Sequence, residues 1–440
     1  MKGNPKIAVI LFPGTNCELE ALRACKRAKV KAELFRWNDN KAKLKGYDAF
    51  IIPGGFSYED RGRSGIVAAK DPIMDSIARE AFRGKPVLGI CNGAQILVET
   101  GLVPGVKFGK VEMALTYNQR IKKGKILGTG FYNDWIHMRT EADPKRSPYN
   151  FFTQDTVLHV PLAHGEGRFT MDKATLEDMK KHHQTLFRYC DKDGKFIDEF
   201  PTNPNGAIYN LAGVCNKEGN VLSLMPHPER TMNGQPIFDS LAEYLKTETK
   251  KLKHVNKIET AKTTPTKMIK QATKPDIVIS VKMIITDNEE RTMENAAHRM
   301  GLKSIELRKR KYFGFYLKTK KDLLSIAAKI IRSGELINLN KEVPTIYIKD
   351  KAYKYDKTSG LHPKKIKAMN AQKFYIIDKD NYAGKSMQAN LEPYFQKNEL
   401  QKVEQGVQWM VAAKKQKQIN ELIDSHLLFN PHAMKIVALS

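Results

Sequence analysis

Cysteine is scarce in this chain, and the few copies show no pattern. There are five in 440 residues, an odd number without CxxC spacing: Cys17, Cys25, Cys91, Cys190 and Cys215. Zinc ribbons and disulfide-rich secreted domains need cysteines in pairs, so neither a disulfide framework nor a bound metal is predicted. A reducing cytoplasm is the expected location. None of these absences excludes a single reactive thiol among the five cysteines.

Long apolar runs and acidic residues are also in short supply. No apolar stretch reaches the roughly 18 residues that a membrane helix needs, so no membrane span is predicted. Lysine and arginine outnumber aspartate and glutamate by 74 to 48, a formal net charge of +26. The excess is dispersed, without a zinc finger or an aromatic RNA-binding box, which favours a solvated lysine-rich surface. An anionic substrate or partner is the next explanation, and nucleic acid is the last.

The composition changes along the chain and predicts several domains, as expected for this length. Residues 1–248 alternate β-rich runs with helical patterns. Residues 249–275 are rich in lysine and almost free of aromatic residues, which predicts a flexible charged linker. Two further modules are predicted at 276–350 and 351–440.

The first region has the pattern of an α/β fold, a mostly parallel open sheet flanked by helices. Its candidate strands are 6–12, 32–36, 49–53, 87–90, 158–163, 207–215 and 221–225. In such sheets ligands bind at the carboxyl ends of the strands, so this edge is the expected place for a site. The segment 138–156 is predicted to be a surface excursion without chemistry.

The second region contains a weak internal repeat. Each copy has the element order βαββαβ, which predicts two α+β modules in tandem. The segments before the last strand are also alike, GELINLNKEVPTIYI in one copy and DSHLLFNPHAMKIVAL in the other. An unrelated α+β domain is the alternative.

The most specific chemical signal is VLGICNGAQIL, in which a buried strand leads through Cys91 into a helical pattern. Gly89 and Gly93 flank the cysteine as G-x-C-x-G, the pattern of a nucleophile elbow, whose tight turn excludes side chains at those positions. The turn would present the sulfur at a helix N-terminus, where a low thiol pKa is favoured. The backbone N–H of Asn92 is then the expected oxyanion donor. A buried structural cysteine is the alternative.

A candidate base lies in SLMPHPER, after another apolar strand. His227 and Glu229 are two residues apart, and alternation in extended chain would put both on one side. A histidine oriented by a carboxylate is what a cysteine nucleophile needs for proton transfer. Alone, this segment would be a surface turn more often than a catalytic pair. Its position at a strand end makes the catalytic interpretation the stronger one.

These motifs together resemble a known family. GICNG-x-Q, HGEGRF and MPHPER, with FPGTNCELE, IPGGFSYED and PTNPNGAIYN in order along the chain, are similar to class I glutamine amidotransferases. More narrowly, they resemble the glutaminase subunit (PurQ) of phosphoribosylformylglycinamidine synthase in purine biosynthesis. The C-terminal region, through its element order and LLFNPHAMKIVAL, resembles the small S subunit (PurS) of that synthase. One departure is Glu59, where the family usually has glycine.

The resemblance implies roles for individual residues. Cys91 would be the nucleophile, with His227 and Glu229 completing the triad. An oxyanion hole would come from the Gly54–Gly55 loop and Asn92, and Gln95 would help to hold glutamine. A secondary loop would contain His164, Glu166 and Arg168, as substrate contacts or as a loop held by its own hydrogen bonds.

The resemblance also implies a partner. No GxxxxGK[ST] loop or acidic cluster for a magnesium nucleotide is present, so no cofactor is expected in this chain. ATP and magnesium would belong to a separate large synthetase subunit, to which the C-terminal modules would form a bridge. Two alternatives remain: an amidotransferase-like or DJ-1-like enzyme with the same elbow, and an inactive scaffold that binds RNA or another protein.

Overall fold

The computed structural model describes residues 5–106, 110–247, 265–266, 268–270, 273–366, 371–396 and 399–438. The chain divides into two compact units, Met1–Thr263 and Thr264–Ser440, described separately below. Much of the predicted linker 249–275 lies outside the described residues. Its described part, from 265 onward, belongs to the second unit. No helix in the described residues combines the length and apolarity needed to cross a membrane.

The first unit is built from thirteen strands and six α-helices within the described residues. The strands are β1 Lys6–Leu11, β2 Lys31–Arg36, β3 Ala49–Ile52, β4 Val87–Ile90, β5 Ala114–Thr116, β6 Gln119–Lys122, β7 Lys125–Thr129, β8 Tyr132–Thr140, β9 Leu158–His164, β10 Arg168–Thr170, β11 Phe187–Cys190, β12 Leu211–Cys215 and β13 Val221–Leu224. The helices are α1 Glu18–Arg27, α2 Ile66–Ala69, α3 Pro72–Phe82, α4 Asn92–Thr100, α5 Lys173–Lys181 and α6 Gln235–Thr247.

Nine of these strands form one sheet in the order β2-β1-β3-β4-β13-β12-β11-β8-β9. Five strands, from β2 to β13, pair in parallel, and the remaining pairs are antiparallel. Only β12 and β8 therefore run against the other seven, which confirms the α/β fold with a mostly parallel sheet. β3, β4 and β13 are buried at every residue, as expected for strands covered on both faces.

Local sequence explains the helices that flank the sheet. Helix α3 begins where the Asp71 side chain accepts from the Ile73 N–H at 3.0 Å and Pro72 occupies the first turn. Helix α1 has glutamates in its first turn and basic residues in its last, which complements its dipole. Its buried residues, Ala21, Ala24 and Cys25, lie on one side of the helix and belong to the core.

Two predictions for the first unit were wrong in detail. The segment 207–215 is a strand only over Leu211–Cys215, because Ile208–Asn210 is a 3-10 turn in which Tyr209 has a φ of 56°. The segment 138–156 is not a surface excursion. It begins as the end of β8 inside the sheet, and Tyr149 and Asn150 are fully buried. The segment is rich in turn-forming and polar residues, so its sequence did not indicate that part of it is buried in the core.

The second unit is built around a nine-stranded sheet in the order β14-β22-β20-β21-β16-β15-β17-β18-β19. Its strands are β14 Ile269–Lys270, β15 Ile277–Met283, β16 Glu306–Leu317, β17 Glu342–Ile348, β18 Lys351–Asp356, β19 Gly360–Pro363, β20 Gln372–Asp378, β21 Leu400–Ala412 and β22 Met434–Ala438. Its helices are α7 Asn288–Arg299, α8 Leu323–Arg332, α9 Tyr382–Leu391 and α10 Gln416–Asp424. All pairings are antiparallel except that of β14 with β22.

Two halves of the second unit have the same element order βαβαβ, one from β15 to β17 and the other from β20 to β22. The prediction of two central strands in each copy was wrong, because β16 and β21 are continuous. They pair with each other from Glu306 opposite Ala412 to Leu317 opposite Leu400. The pairing continues through the middle of each strand, where the order βαββαβ required a break between two strands. The hairpin β18–β19 extends the edge of the first half, so that half continues past residue 350.

Candidate active site

Cys91 lies at the turn from β4 to α4, with φ 51° and ψ −106°. This conformation is rare for a residue with a side chain and is the kind of strain that is kept at functional sites. The Cys91 N–H donates to the carbonyl of Leu224 at 2.8 Å, which ties the turn to the neighbouring strand β13. The side chain is almost buried, and its sulfur lies 3.7 Å from the carbonyl oxygen of Ala163.

The two flanking glycines are required by close backbone contacts. A Cβ at Gly93 would lie 1.8 Å from the carbonyl oxygen of Ile52, and a Cβ at Gly89 would lie 2.5 Å from the carbonyl oxygen of Gly93. Both distances are far below van der Waals contact. The G-x-C-x-G spacing is therefore a packing requirement of the elbow.

His227 and Glu229 lie at the end of β13, which is the parallel neighbour of β4. The Nδ1 atom of His227 donates to Oε1 of Glu229 at 2.6 Å, and both side chains are buried. The pair forms through the 3-10 turn Pro228–Arg230 and not through the extended alternation that was predicted. The N–H of His227 also donates to the carbonyl of Pro161 at 2.8 Å, which fixes the turn against β9.

The imidazole of His227 contacts Cys91, so the structure brings the three triad candidates together. Burial disfavours the charged imidazolium, but the Glu229 carboxylate and the nearby sulfurs of Cys91 and Cys17 outweigh it and hold the pKa of His227 well above its ordinary value. A histidine that is charged beside a cysteine stabilises the thiolate, which is the nucleophilic form. The arrangement can therefore perform thiol chemistry.

The Gly54–Gly55 loop follows β3 and forms the next wall of the site. A Cβ at Gly54 would lie 2.8 Å from Cε1 of His227 and 3.4 Å from Cβ of Cys91, so only glycine fits. The Gly54 carbonyl accepts from the N–H groups of Asn16 and Cys17, both at 3.2 Å. The loop is thus fixed directly beside the thiol and the imidazole.

Asn92 and Gln95, on the first turns of α4, connect the elbow to two loops. The Asn92 side chain accepts from the N–H of Ser57 at 3.0 Å and donates to Asp60 at 3.1 Å and to Gln95 at 2.9 Å. Gln95 donates in turn to the carbonyl of Glu166 at 2.6 Å. The backbone N–H of Asn92, at the first helical position, has no partner within the helix and remains the candidate oxyanion donor.

The secondary loop is held mainly by hydrogen bonds to Tyr117 and Asn118, which precede β6. His164 Nδ1 is 3.1 Å from Oδ1 of Asn118, and that oxygen also accepts from the N–H of Gly167 at 3.0 Å. Burial, with His227 nearby, lowers the pKa of His164 to about 3, so its ring is neutral. The Nε atom of Arg168 donates to the carbonyl of Tyr117. His164 and Arg168 are therefore placed as parts of the loop framework.

Glu166 differs from its neighbours because its carboxylate points to the loop after β3. Its Oε2 accepts from the N–H of Ser64 at 3.3 Å. Burial raises the pKa of Glu166 to about 7, and burial likewise raises the pKa of Asp60 to about 6. Two carboxyl groups that hold protons near neutral pH therefore lie next to the Asn92–Gln95 network.

Sequence reasoning missed Cys17 and Arg230. The Cys17 sulfur, a His227 ring nitrogen and a Glu229 carboxylate oxygen lie within 4.8 Å of one another, and the Cys17 thiol donates to Oδ1 of Asn16 at 3.2 Å. An Arg230 Nη atom donates to the Cys17 sulfur at 3.0 Å. A signal was available: Cys17 follows β1, and the carboxyl ends of parallel strands meet at one edge.

A thiol on a strained strand-to-helix turn, facing a buried His–Glu pair at the end of the adjacent parallel strand, defines the class of Cys-His-Glu amidotransferase sites. The comparisons with known proteins agree. The model of the CobB/CobQ-like glutamine amidotransferase domain matches residues 4–250, more than half of the chain. The chain belongs to this family.

The similar proteins carry a more particular name, subunit PurQ of phosphoribosylformylglycinamidine synthase. The subunit from Methanothrix thermoacetophila is 43% identical over an alignment of 259 residues, and the match covers 54% of this chain and 98% of the relative. The subunit from Methanosarcina mazei is 41% identical over an alignment of 249 residues, and the match covers 54% of this chain and 98% of that relative. Among solved structures, a chain of PurLQS from Thermotoga maritima is 32% identical with a TM-score of 0.44, covering 55% of this chain and all of that one.

Proposed function

We propose that this protein is the glutaminase component of phosphoribosylformylglycinamidine synthase. It would hydrolyse glutamine to glutamate and ammonia and supply the ammonia to a separate ATP-dependent synthetase subunit in the cytoplasm. The observation that carries the proposal is the buried contact of Cys91 with a histidine whose other side is held by Glu229. The names of the similar proteins support the particular pathway.

The first half of the reaction forms a thioester. The Cys91 thiolate attacks the side-chain amide carbon of glutamine, and negative charge develops on the amide oxygen. The N–H groups of Asn92 and the Gly54–Gly55 loop are the proposed donors to that oxygen. Because Nδ1 of His227 is bound to Glu229, the other ring nitrogen gives the proton with which ammonia leaves.

The second half returns the enzyme to its starting state. Water gives a proton to the same nitrogen of His227 and attacks the γ-glutamyl thioester. The tetrahedral intermediate collapses, glutamate leaves, and the sulfur is again paired with the imidazolium. Glu229 fixes the ring orientation in both halves and stabilises its charge, which is the role of the carboxylate in a nucleophile–histidine–carboxylate triad. Gln95 and Glu166 are proposed to shape the pocket for the amino acid part of glutamine.

The second unit is proposed to bridge to the large synthetase subunit, which would bind ATP and magnesium. Its two βαβαβ halves pair through β16 and β21 as two subunits of a dimer would. This pairing supports an intramolecular version of an S-subunit dimer. Joining it to the glutaminase unit raises the effective concentration of the second contact with the partner, without new chemistry.

Glutamate release by the full chain, alone and with the large synthetase subunit, tests the proposal. We expect Cys91→Ala to lower the rate by roughly 10⁴-fold or more, since loss of a nucleophile has effects of that order. Cys25→Ala is the matched control, a buried thiol on α1 that is not part of the site. Glutamate release that persists in the Cys91 variant would exclude Cys91 as the nucleophile. Amidation that used free ammonia but not glutamine would exclude the assigned role.

A further inference from the structure

We propose that Arg63 and Glu99 are positioning residues, whose buried ion pair holds residues 56–65 (the 56–65 loop) against α4 and thereby fixes the oxyanion donors. The inference rests on the proposed glutaminase function. Nε of Arg63 donates to Oε1 of Glu99 at 2.8 Å, and an Nη atom donates to Oε2 at 2.6 Å. Both residues are buried, with 7% and 4% of their surface exposed. A two-point pair of this kind fixes orientation as well as distance.

The ion pair is the last in a row of contacts along one face of α4. Asn92, Gln95 and Glu99 are spaced i, i+3 and i+7, so they share that face of the helix. At the first turn, the N–H of Ser57 donates to Oδ1 of Asn92 at 3.0 Å. Further along, a Cβ at Gly65 would lie 3.0 Å from Cβ of Gln95, so the loop backbone packs closely there. The 56–65 loop therefore contacts α4 from its first turn to its last.

The 56–65 loop does not hold its own shape. Tyr58, Glu59 and Asp60 follow one another with φ values of 53°, 58° and 51°. This left-handed conformation is unfavourable for residues with side chains, and it persists only where the surrounding structure holds it. The ion pair supplies such a contact near the C-terminal end of the loop, opposite the end that binds Asn92.

Stability alone does not explain why a pair of charges is buried here. Removing both charges from water has a desolvation cost, so apolar side chains of similar size often stabilise a protein as well. A second buried pair, Glu80 of α3 with Lys85 at 2.7 Å, allows a comparison. Lys85 precedes β4, at the amino edge of the sheet, whereas Arg63 and Glu99 join the helix that begins after Cys91 to its neighbouring loop.

The location decides what the ion pair positions. The 56–65 loop directly follows Gly54–Gly55, whose N–H groups are proposed oxyanion donors, and it contacts Asn92, which carries the other proposed donor. A shift of the loop along α4 would therefore move the donors relative to the Cys91 sulfur. The His–Glu pair of the triad follows β13, a different segment, and would keep its place. Loss of the ion pair should thus affect the oxyanion more than the thiolate.

Kinetics of the full chain test this division. Glu99→Gln keeps the size of the side chain and removes its charge, and Arg63→Met/Glu99→Leu replaces the pair by apolar side chains. We expect kcat for glutamine hydrolysis to fall roughly 10- to 100-fold in both. KM should change by less than about threefold, because oxyanion donors act in the transition state. Glu80→Gln, with an equally buried glutamate, is the matched control and should keep both constants.

Two further measurements separate positioning from a general disturbance of the site. Alkylation of Cys91 by iodoacetamide needs the thiolate but forms no oxyanion, so its rate should stay within about twofold of the original in every variant. Hydrogen exchange of the 56–65 loop, followed by mass spectrometry of its peptides, should become at least about tenfold faster in the two variants of the pair. Exchange of β13 should not change.

Each outcome decides the matter. An unchanged kcat, a loss confined to KM, alkylation slowed as much as glutamine hydrolysis, or unchanged exchange of the 56–65 loop would overturn the proposal. The apolar double variant leaves no unpaired buried charge, so it keeps the test available if Glu99→Gln fails to fold. If the unaltered chain released no glutamate with or without the synthetase subunit, the proposed function would fail. The exchange measurement would then still decide whether the ion pair holds the loop.

Discussion

Each unit of the molecule holds a carboxylate whose side chain is fully buried, Glu229 in the first and Glu404 in the second, and the two have opposite surroundings. Glu404 accepts from Lys402 Nζ at 2.7 Å and from the Tyr316 hydroxyl at 3.0 Å, so both of its oxygens have a donor. Glu229 in the first unit holds His227 through one oxygen and has no partner for the other among the described residues.

We interpret this difference as two uses of a buried charge: Glu404 stabilises the sheet, and Glu229 takes part in the chemistry proposed for the site. A carboxylate that only stabilises a sheet gains from every acceptor being satisfied, because an unsatisfied buried acceptor costs about 1–3 kcal/mol. Glu229, which holds a histidine, leaves one buried acceptor without a partner among the described residues. In the backbone, Cys91 keeps a strained conformation, whereas β16 and β21 pair along their length with one register shift between Tyr316 and Leu317.

The variant Glu229→Gln tests the proposed difference between Glu229 and Glu404 most directly. The amide keeps the size of the side chain but removes the charge that stabilises the imidazolium and fixes its tautomer. We expect the rate of glutamine hydrolysis to fall on the order of 10³-fold. Glu404→Gln, as the control, should leave the rate of the full chain unchanged. A Glu229→Gln chain within threefold of the original rate would contradict the assigned role.

The neutral buried histidine of the secondary loop gives a pH dependence. With a pKa near 3 in the folded protein and 6.5 as the ordinary value, His164 takes up a proton in the unfolded chain first as pH falls. Stability is therefore lost progressively below pH 6.5, by roughly 2 kcal/mol at pH 5. Urea unfolding of the first unit at pH 7 and pH 5 measures the loss. The His164→Gln chain should lose less between the two pH values, and an identical loss would count against a neutral buried ring.

In the second unit, Glu404→Gln should lower stability and not activity. The amide keeps an acceptor for Tyr316 but loses the attraction to Lys402 and Lys435, whose ammonium groups are partly exposed. We expect a loss of about 1–2 kcal/mol in the unfolding free energy of this unit, measured by denaturant unfolding. A variant as stable as the original would show that the carboxylate is not structural.

The smallest effect concerns the strained loop beside the site. Glu59 has φ 58°, a left-handed conformation that costs a side-chain residue about 1–2 kcal/mol, and its exposed side chain forms an ion pair with Arg61. Glu59→Gly should relieve this cost but increase the entropy of the unfolded chain, for a net gain of about 0.5 kcal/mol. Thermal unfolding measures it, with Glu59→Ala as the control that should show no gain.

Much of the site could be predicted because its signals are local. The elbow is contained in a few consecutive residues, and a contact such as that of Gly93 with Ile52 leaves only glycine at its position. The pair of His227 and Glu229 is likewise local, although a 3-10 turn and not an extended strand brings its side chains together. The strands of the parallel half were predicted because strands buried on both faces are continuous apolar runs.

The features that were missed depend on distant segments. The continuity of β16 and β21 is set by their mutual pairing, which the pattern of each copy alone does not contain. Strands β8 and β11, which pair with each other in antiparallel fashion, likewise depend on partners that are distant in the sequence.

The sequence by itself indicated a candidate nucleophile, a candidate pair for proton transfer, and an α/β fold for the first unit, because each of these is encoded over a few neighbouring residues. Only the tertiary structure decided that Cys17 lies beside His227 and Glu229, with one atom of each within 4.8 Å of the others. Cys17 follows β1 and the pair follows β13, and the parallel sheet is what places the ends of these strands along one edge.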